Sequence, residues 1–154
     1  MPHAVVVERF NTLQRMYAVA RAASRAEGTI ESAQERVEAT KGVLDHAGDG
    51  GESLRADAQT LLEHLSALAD ALEEANPGGR LGSAVEGIVD RPTEDQMWQL
   101  ERGEQETISV IDELNALLGN ELVELEAAVY LPGARPLPIE PVPLPQAYVL
   151  TSSR

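Results

Sequence analysis

Apolar residues in this chain recur at alternating intervals of three and four, in stretches separated by glycine and proline. That spacing keeps one stripe on one face of a helix. The longest stretch runs from Thr93 to Leu131, with its stripe at Met97, Leu100, Ile108, Ile111, Leu114, Leu118, Leu122, Leu125 and Val129. Thr93 and Gln96 have the spacing of a capping box, and Glu94 and Asp95 suit the positive end of the helix dipole. Pro132-Gly133 ends the stretch, because proline cannot continue the backbone ladder. Stripe positions 114, 118 and 122 make two successive steps of four, a stutter that predicts a bend or straight segment at Gly119-Asn120, with a real break as the lesser alternative. Glu104 falls where an apolar residue belongs and reads as an edge carboxylate reaching water.

A first helix is predicted from Val5 to His46. Phe10, Leu13, Tyr17 and Ala20 open its stripe, and Ala23, Ala26, Ile30, Ala33, Val37 and Leu44 carry it on. Gly28-Thr29 interrupts the pattern, but the phase is kept from Ala26 to Leu44, which favours a continuous helix. The run Ala4-Val5-Val6-Val7 reads either as a buried strand or as the first helical turn. Ala47-Gly48-Asp49-Gly50-Gly51 predicts a loop. From Ser53 to Ala75, Leu54, Ala58, Leu61, Leu65, Leu68, Leu72 and Ala75 step by 4, 3, 4, 3, 4, 3, the cleanest helical pattern in the chain. Asn76-Pro77-Gly78-Gly79 closes that helix, and a short helical piece follows from Leu81 to Val89. The last segment holds six of the nine prolines between Pro132 and Pro145, which predicts extended, polyproline-like chain. Its Leu137, Ile139, Val142 and Leu144 either lie along the bundle or stay loose. The expectation is an all-α, antiparallel three-helix bundle over 1–131, with a short additional helix, and an extended Pro-rich tail over 132–154.

Charge narrows the partners. The formal net charge is −14, with 12 basic and 26 acidic residues, which argues against nucleic acid and anionic membrane. No apolar run reaches the ~20 residues of a membrane span, and the start lacks the pattern of a secretory signal. Aromatics are 3%, so the core must be aliphatic, and the absence of cysteine removes disulfides and thiolate chemistry. Arg9, Arg15, Arg21 and Arg25 have no acid between them. In an up-down-up bundle they lie beside Asp70, Glu73, Glu74, Glu101, Glu104 and Glu106, which predicts exposed arginine–carboxylate contacts.

No residue set reads as catalytic, cofactor-binding or metal-binding. His3, His46 and His64 stand alone on their segments, with no Glu-x-x-His and no His-Glu-x-x-His. Asp45, Asp49 and Glu52 flank a loop without calcium-loop spacing and read as a solvated turn. No Gly-x-Ser-x-Gly elbow and no phosphate loop occurs. Arg135-Pro136-Leu137-Pro138-Ile139-Glu140-Pro141 fits the Arg-x-x-Pro-x-x-Pro pattern read by SH3-type grooves. With only three fixed positions in a proline-rich tail, that match arises easily by chance.

Three groups of residues carry a resemblance. They are Arg9-Phe10-Asn11-Thr12-Leu13-Gln14-Arg15-Met16-Tyr17, Asn76-Pro77-Gly78-Gly79-Arg80-Leu81, and Arg91-Pro92-Thr93-Glu94-Asp95-Gln96 followed by a long helix and Leu131-Pro132-Gly133. In this order they resemble the C-terminal helical region of sortilin-like, BNR-repeat β-propeller proteins, often labelled glycosyl hydrolases. The resemblance implies a helical accessory region, not the part that carries catalysis, so no hydrolase activity transfers. It implies a secreted parent as one possible setting, and a chain that is a fragment or split-off descendant of a larger propeller protein. The expected role is non-catalytic and scaffolding, with a β-propeller domain as partner. The alternative is a free-standing coiled coil that associates with itself.

Overall fold

The computed structural model describes residues 3–75 and 92–146. Helix α1 spans His3–His46, α2 Glu52–Ala75, α3 Glu94–Gly119 and α4 Glu121–Val129. No strand occurs among the described residues, and the fold is an all-α helical bundle. The short helix expected at Leu81–Val89 lies outside the described residues.

Contacts between helices fix the topology. Lys41 donates to Gln59 at 2.9 Å, and Arg55 donates to the Leu44 carbonyl at 3.1 Å, so α1 and α2 run antiparallel. Thr12 lies by Met97, Arg15 by Glu104 and Arg36 by Glu126, so α1 and the α3–α4 arm run parallel. This is the up-down-up order.

Helix α1 is continuous through Gly28-Thr29, and its helical start at His3 removes the strand reading of Ala4 to Val7. Val7 is buried there and Val6 is exposed. At its other end the expected loop is a single 3-10 turn, Gly48–Gly51. Gly48 has φ +75°, a left-handed conformation that glycine adopts without steric cost. Arg55 reaches back to the Gly48 carbonyl as well as to that of Leu44, which also accepts from the Ala47 amide, and so ties the start of α2 to the turn.

The buried line of α1 corrects the expected phase at its N-terminal end. Tyr17 is exposed, and the inward residues are Thr12, Met16, Val19, Ala23, Ala26, Ile30, Ala33, Val37, Thr40 and Leu44. They alternate four and three without a slip. Helix α3 corrects the sequence reading in the same way. Gly103 and Thr107 are buried where Glu104 and Ile108 were expected to mark the stripe. Beyond them Val110, Ile111, Leu114, Leu117 and Leu118 meet Leu61, Leu65, Leu68 and Leu72 of α2 in the main core. A second small cluster joins Met16 and Leu100, with Leu13 and Met97 against it.

The capping box forms as expected. Thr93 Oγ1 accepts from the Gln96 amide at 3.1 Å, and Gln96 Oε1 accepts from the Thr93 amide at 2.8 Å. At the stutter the helix is interrupted at Asn120, between α3 and α4, and the arm bends. Asn120 sits at φ −117°, ψ −74°, yet its amide reaches the Ala116 carbonyl at 3.0 Å and its carbonyl accepts from Glu124 at 2.9 Å. The bend aims α4 across α1 and α2, and Tyr130 leaves the helix in extended conformation.

Candidate functional site

The tail is the described segment whose placement the sequence left open, along the bundle or loose. After the 3-10 turn Pro132–Ala134, the chain leaves in polyproline-like conformation, with Arg135 at φ −66°, ψ 134°. It then lies along α1 in the opposite direction. The Leu137 carbonyl accepts from Arg36 at 2.7 Å. Ile139 to Pro143 border Arg25, Gly28, Thr29 and Ser32. Pro143 to Gln146 border Ala18, Arg21, Ala22 and Arg25. The lengths agree with this reading. Roughly fourteen helical residues at ~1.5 Å cover about as much as seven polyproline residues at ~3.1 Å.

A second row on α1 makes the seat. Ala18, Ala22, Arg25, Thr29, Ser32 and Arg36 step by 4, 3, 4, 3, 4, beside the core row. Four of the six have small side chains, which lets an extended backbone approach the helix. On the other side stands Asn115 of α3. Its Nδ2 donates to the Val142 carbonyl at 2.9 Å, and its Oδ1 accepts from the Val142 amide at 2.8 Å. One carboxamide thus takes both backbone groups of one residue, as a neighbouring strand would. The Val142 side chain enters the main core and is 4% exposed. Of the two alternatives left by the sequence, the tail lies along the bundle.

Where the tail begins, α1 and α4 enclose a polar cluster. Arg36 Nη2 pairs with Glu126 Oε1, while Nη1 holds the Leu137 carbonyl. Thr40 Oγ1 donates to the Arg36 carbonyl at 2.9 Å and lies 3.4 Å from the Tyr130 hydroxyl. The Glu126 side chain is 6% exposed and that of Arg36 22%. Glu126 Oε2 and Arg36 Nε are buried without a hydrogen-bond partner among the described residues. Guanidinium, carboxylate and peptide carbonyl form a structural junction that ties α1, α4 and the tail together.

The residues weighed in the sequence stand apart from this junction. His46 Nδ1 lies 2.8 Å from the Gly42 carbonyl, and His64 Nε2 lies 2.8 Å from Glu113 across α2 and α3. No group of three metal-ligating side chains converges among the described residues. No helix there is long and apolar enough to cross a membrane. Glu104 does not simply reach water. Both its oxygens face Arg15, at 3.1 and 3.4 Å, which realises one of the expected arginine–carboxylate contacts. The pair is partly exposed, so Glu104→Gln is expected to cost less than ~1 kcal/mol in urea unfolding.

No family model, curated protein or solved structure matches this chain.

Sequence reasoning missed Asn115, Arg36 and Glu126. Glu126 carried a signal, since it lies four residues after Leu122 and three before Val129, on the inward side of α4. Asn115 carried none, because its partner is a backbone segment 27 residues away. Asn115→Ala is expected to release the tail and cost about 1–3 kcal/mol, since it leaves the buried backbone groups of Val142 without partners. Hydrogen exchange at the Val142 amide measures this directly. Protection equal to that of the native chain would show that the clamp does not hold the tail.

Proposed function

We propose that this chain is a non-catalytic accessory or scaffolding domain that works by holding a protein partner. The observation that carries this reading is the seated tail. A row of small residues on α1, the Asn115 carboxamide and the Arg36 guanidinium are all committed to one peptide segment. Yet most of that segment's side chains remain on the outside. Such an arrangement presents a fixed surface along a stiff helical rod. In the nearby junction Arg36 bonds to Glu126 and to the Leu137 carbonyl, which suits a structural role.

The partner to try first is a sortilin-like β-propeller protein, as the sequence resemblance suggests. Self-association has less in its favour. The large apolar residues exposed on the helices, Val6, Tyr17 and Val43 on α1, Trp98 on α3 and Val123 on α4, are too far apart to make a second stripe. Sedimentation velocity of the purified chain, alone and mixed with a β-propeller protein from the same source, tests the proposal. A monomer alone and a joint boundary in the mixture are expected. A self-associated chain with no affinity for the propeller would overturn it in favour of the coiled-coil alternative.

A further inference from the structure

The tail's exposure follows a period of three. From 135 to 146, Val142 is buried, Ile139 and Pro145 are half-buried, and every other residue is exposed. Positions 139, 142 and 145 form one edge of a helix with three residues per turn, which is the polyproline II repeat. The dihedral angles of Arg135 match that conformation where the segment begins. A polyproline helix has three edges, and the bundle uses one of them. The other two carry Arg135, Pro138 and Pro141 on one edge, and Leu137 and Glu140 on the next. Leu137 is 86% exposed, so this apolar side chain is open to a partner.

From this division of edges we infer that residues 135–141 are a pre-ordered ligand for a partner domain with an aromatic-lined polyproline groove and an acidic side chain beside it. Such grooves take a polyproline helix by two adjacent edges. Here Leu137-Pro138 and Glu140-Pro141 supply two proline dipeptides spaced by one turn. Arg135, one turn before Pro138, supplies the cation for the acid. Ile139 points to the bundle, so the scaffold grips the edge that the partner leaves free. A loose peptide loses backbone freedom when it binds, which is an entropic cost. The seat made by α1 and Asn115 removes much of that cost in advance.

This inference rests on the scaffolding role and names the chemistry of one partner. The probe is a purified SH3 domain that prefers arginine-first ligands, titrated calorimetrically into the full chain and, separately, into a synthetic peptide of residues 133–146. The full chain is expected to bind at least as tightly as the peptide. Pro138→Ala with Pro141→Ala, in a chain of unchanged helical circular dichroism, is expected to weaken binding by roughly tenfold or more. Arg135→Glu is expected to do the same. Failure of the chain to bind while the peptide binds would mean that the bundle hides the strip, and would overturn the inference. So would binding by neither, or undiminished binding by the proline variant. If the proline variant also fails to bind the SH3 domain but still co-sediments with a propeller partner, two separate surfaces are in use. If the native chain co-sediments with the propeller but never binds the SH3 domain, the scaffolding role stands and this inference falls.

Discussion

Leu114→Ala is expected to lower the free energy of unfolding by about 2–5 kcal/mol, and Leu65→Ala by a similar amount. Both side chains are fully buried, and both belong to the main core where α2 meets α3. Removing three carbons from either leaves a cavity that neighbouring leucines fill only in part. The loss is a large share of the ~5–15 kcal/mol that holds a domain of this size together. Urea unfolding followed by circular dichroism reads it as a lower midpoint with an unchanged slope. A cost below ~1 kcal/mol at both sites would mean that this layer is loosely packed.

Arg36→Met has the second largest expected effect, about 3 kcal/mol. It leaves the Glu126 carboxylate buried without its guanidinium and frees the Leu137 carbonyl at the same time. The value sits at the low end for a buried pair because the Arg36 side chain keeps some contact with water. A double change, Arg36→Met with Glu126→Leu, is expected to recover most of the loss, since removing both charges also removes the cost of burying them. A double-mutant cycle in urea supplies the measurement. Additive losses would show that the two groups are independent.

Most of the fold was legible because its period is strict. The expected helix Ser53 to Ala75 matches α2 to within one residue, and the 114–118–122 stutter marked the bend at Asn120. Inward threonines account for part of the errors in phase. Thr12, Thr40 and Thr107 stand at inward positions, and each donates its hydroxyl to the carbonyl four residues before, Glu8, Arg36 and Gly103. With the hydroxyl satisfied inside its own helix, threonine packs through its methyl group as a small apolar residue. In a count of hydrophobic letters it is silent, so Phe10 and Tyr17 drew the α1 stripe off its line and Ile108 did the same in α3. The tail seat was hidden for a different reason. Its row of alanine, threonine, serine and arginine has no hydrophobic signature, because an extended backbone lying against a helix needs room more than grease. The strip's exposed edges were written in the Arg135–Pro141 pattern. Only the third edge, at Ile139, Val142 and Pro145, distinguishes a seated ligand from a chance match.

The tail's return to α1 also fixes the order in which the molecule can be completed. Arg36 must find Leu137, 101 residues later, and Asn115 must find Val142, while α1 and α2 are joined by one short turn. Short closures cost less entropy than long ones, so the α1–α2 hairpin is expected to form while the chain is still being made. On the ribosome, the Ala18–Arg36 row stays open to its surroundings until the tail has left the exit tunnel. Limited proteolysis of stalled nascent chains should find the hairpin resistant well before that row is covered. The segment that finishes α1 is made only after α2, α3 and α4.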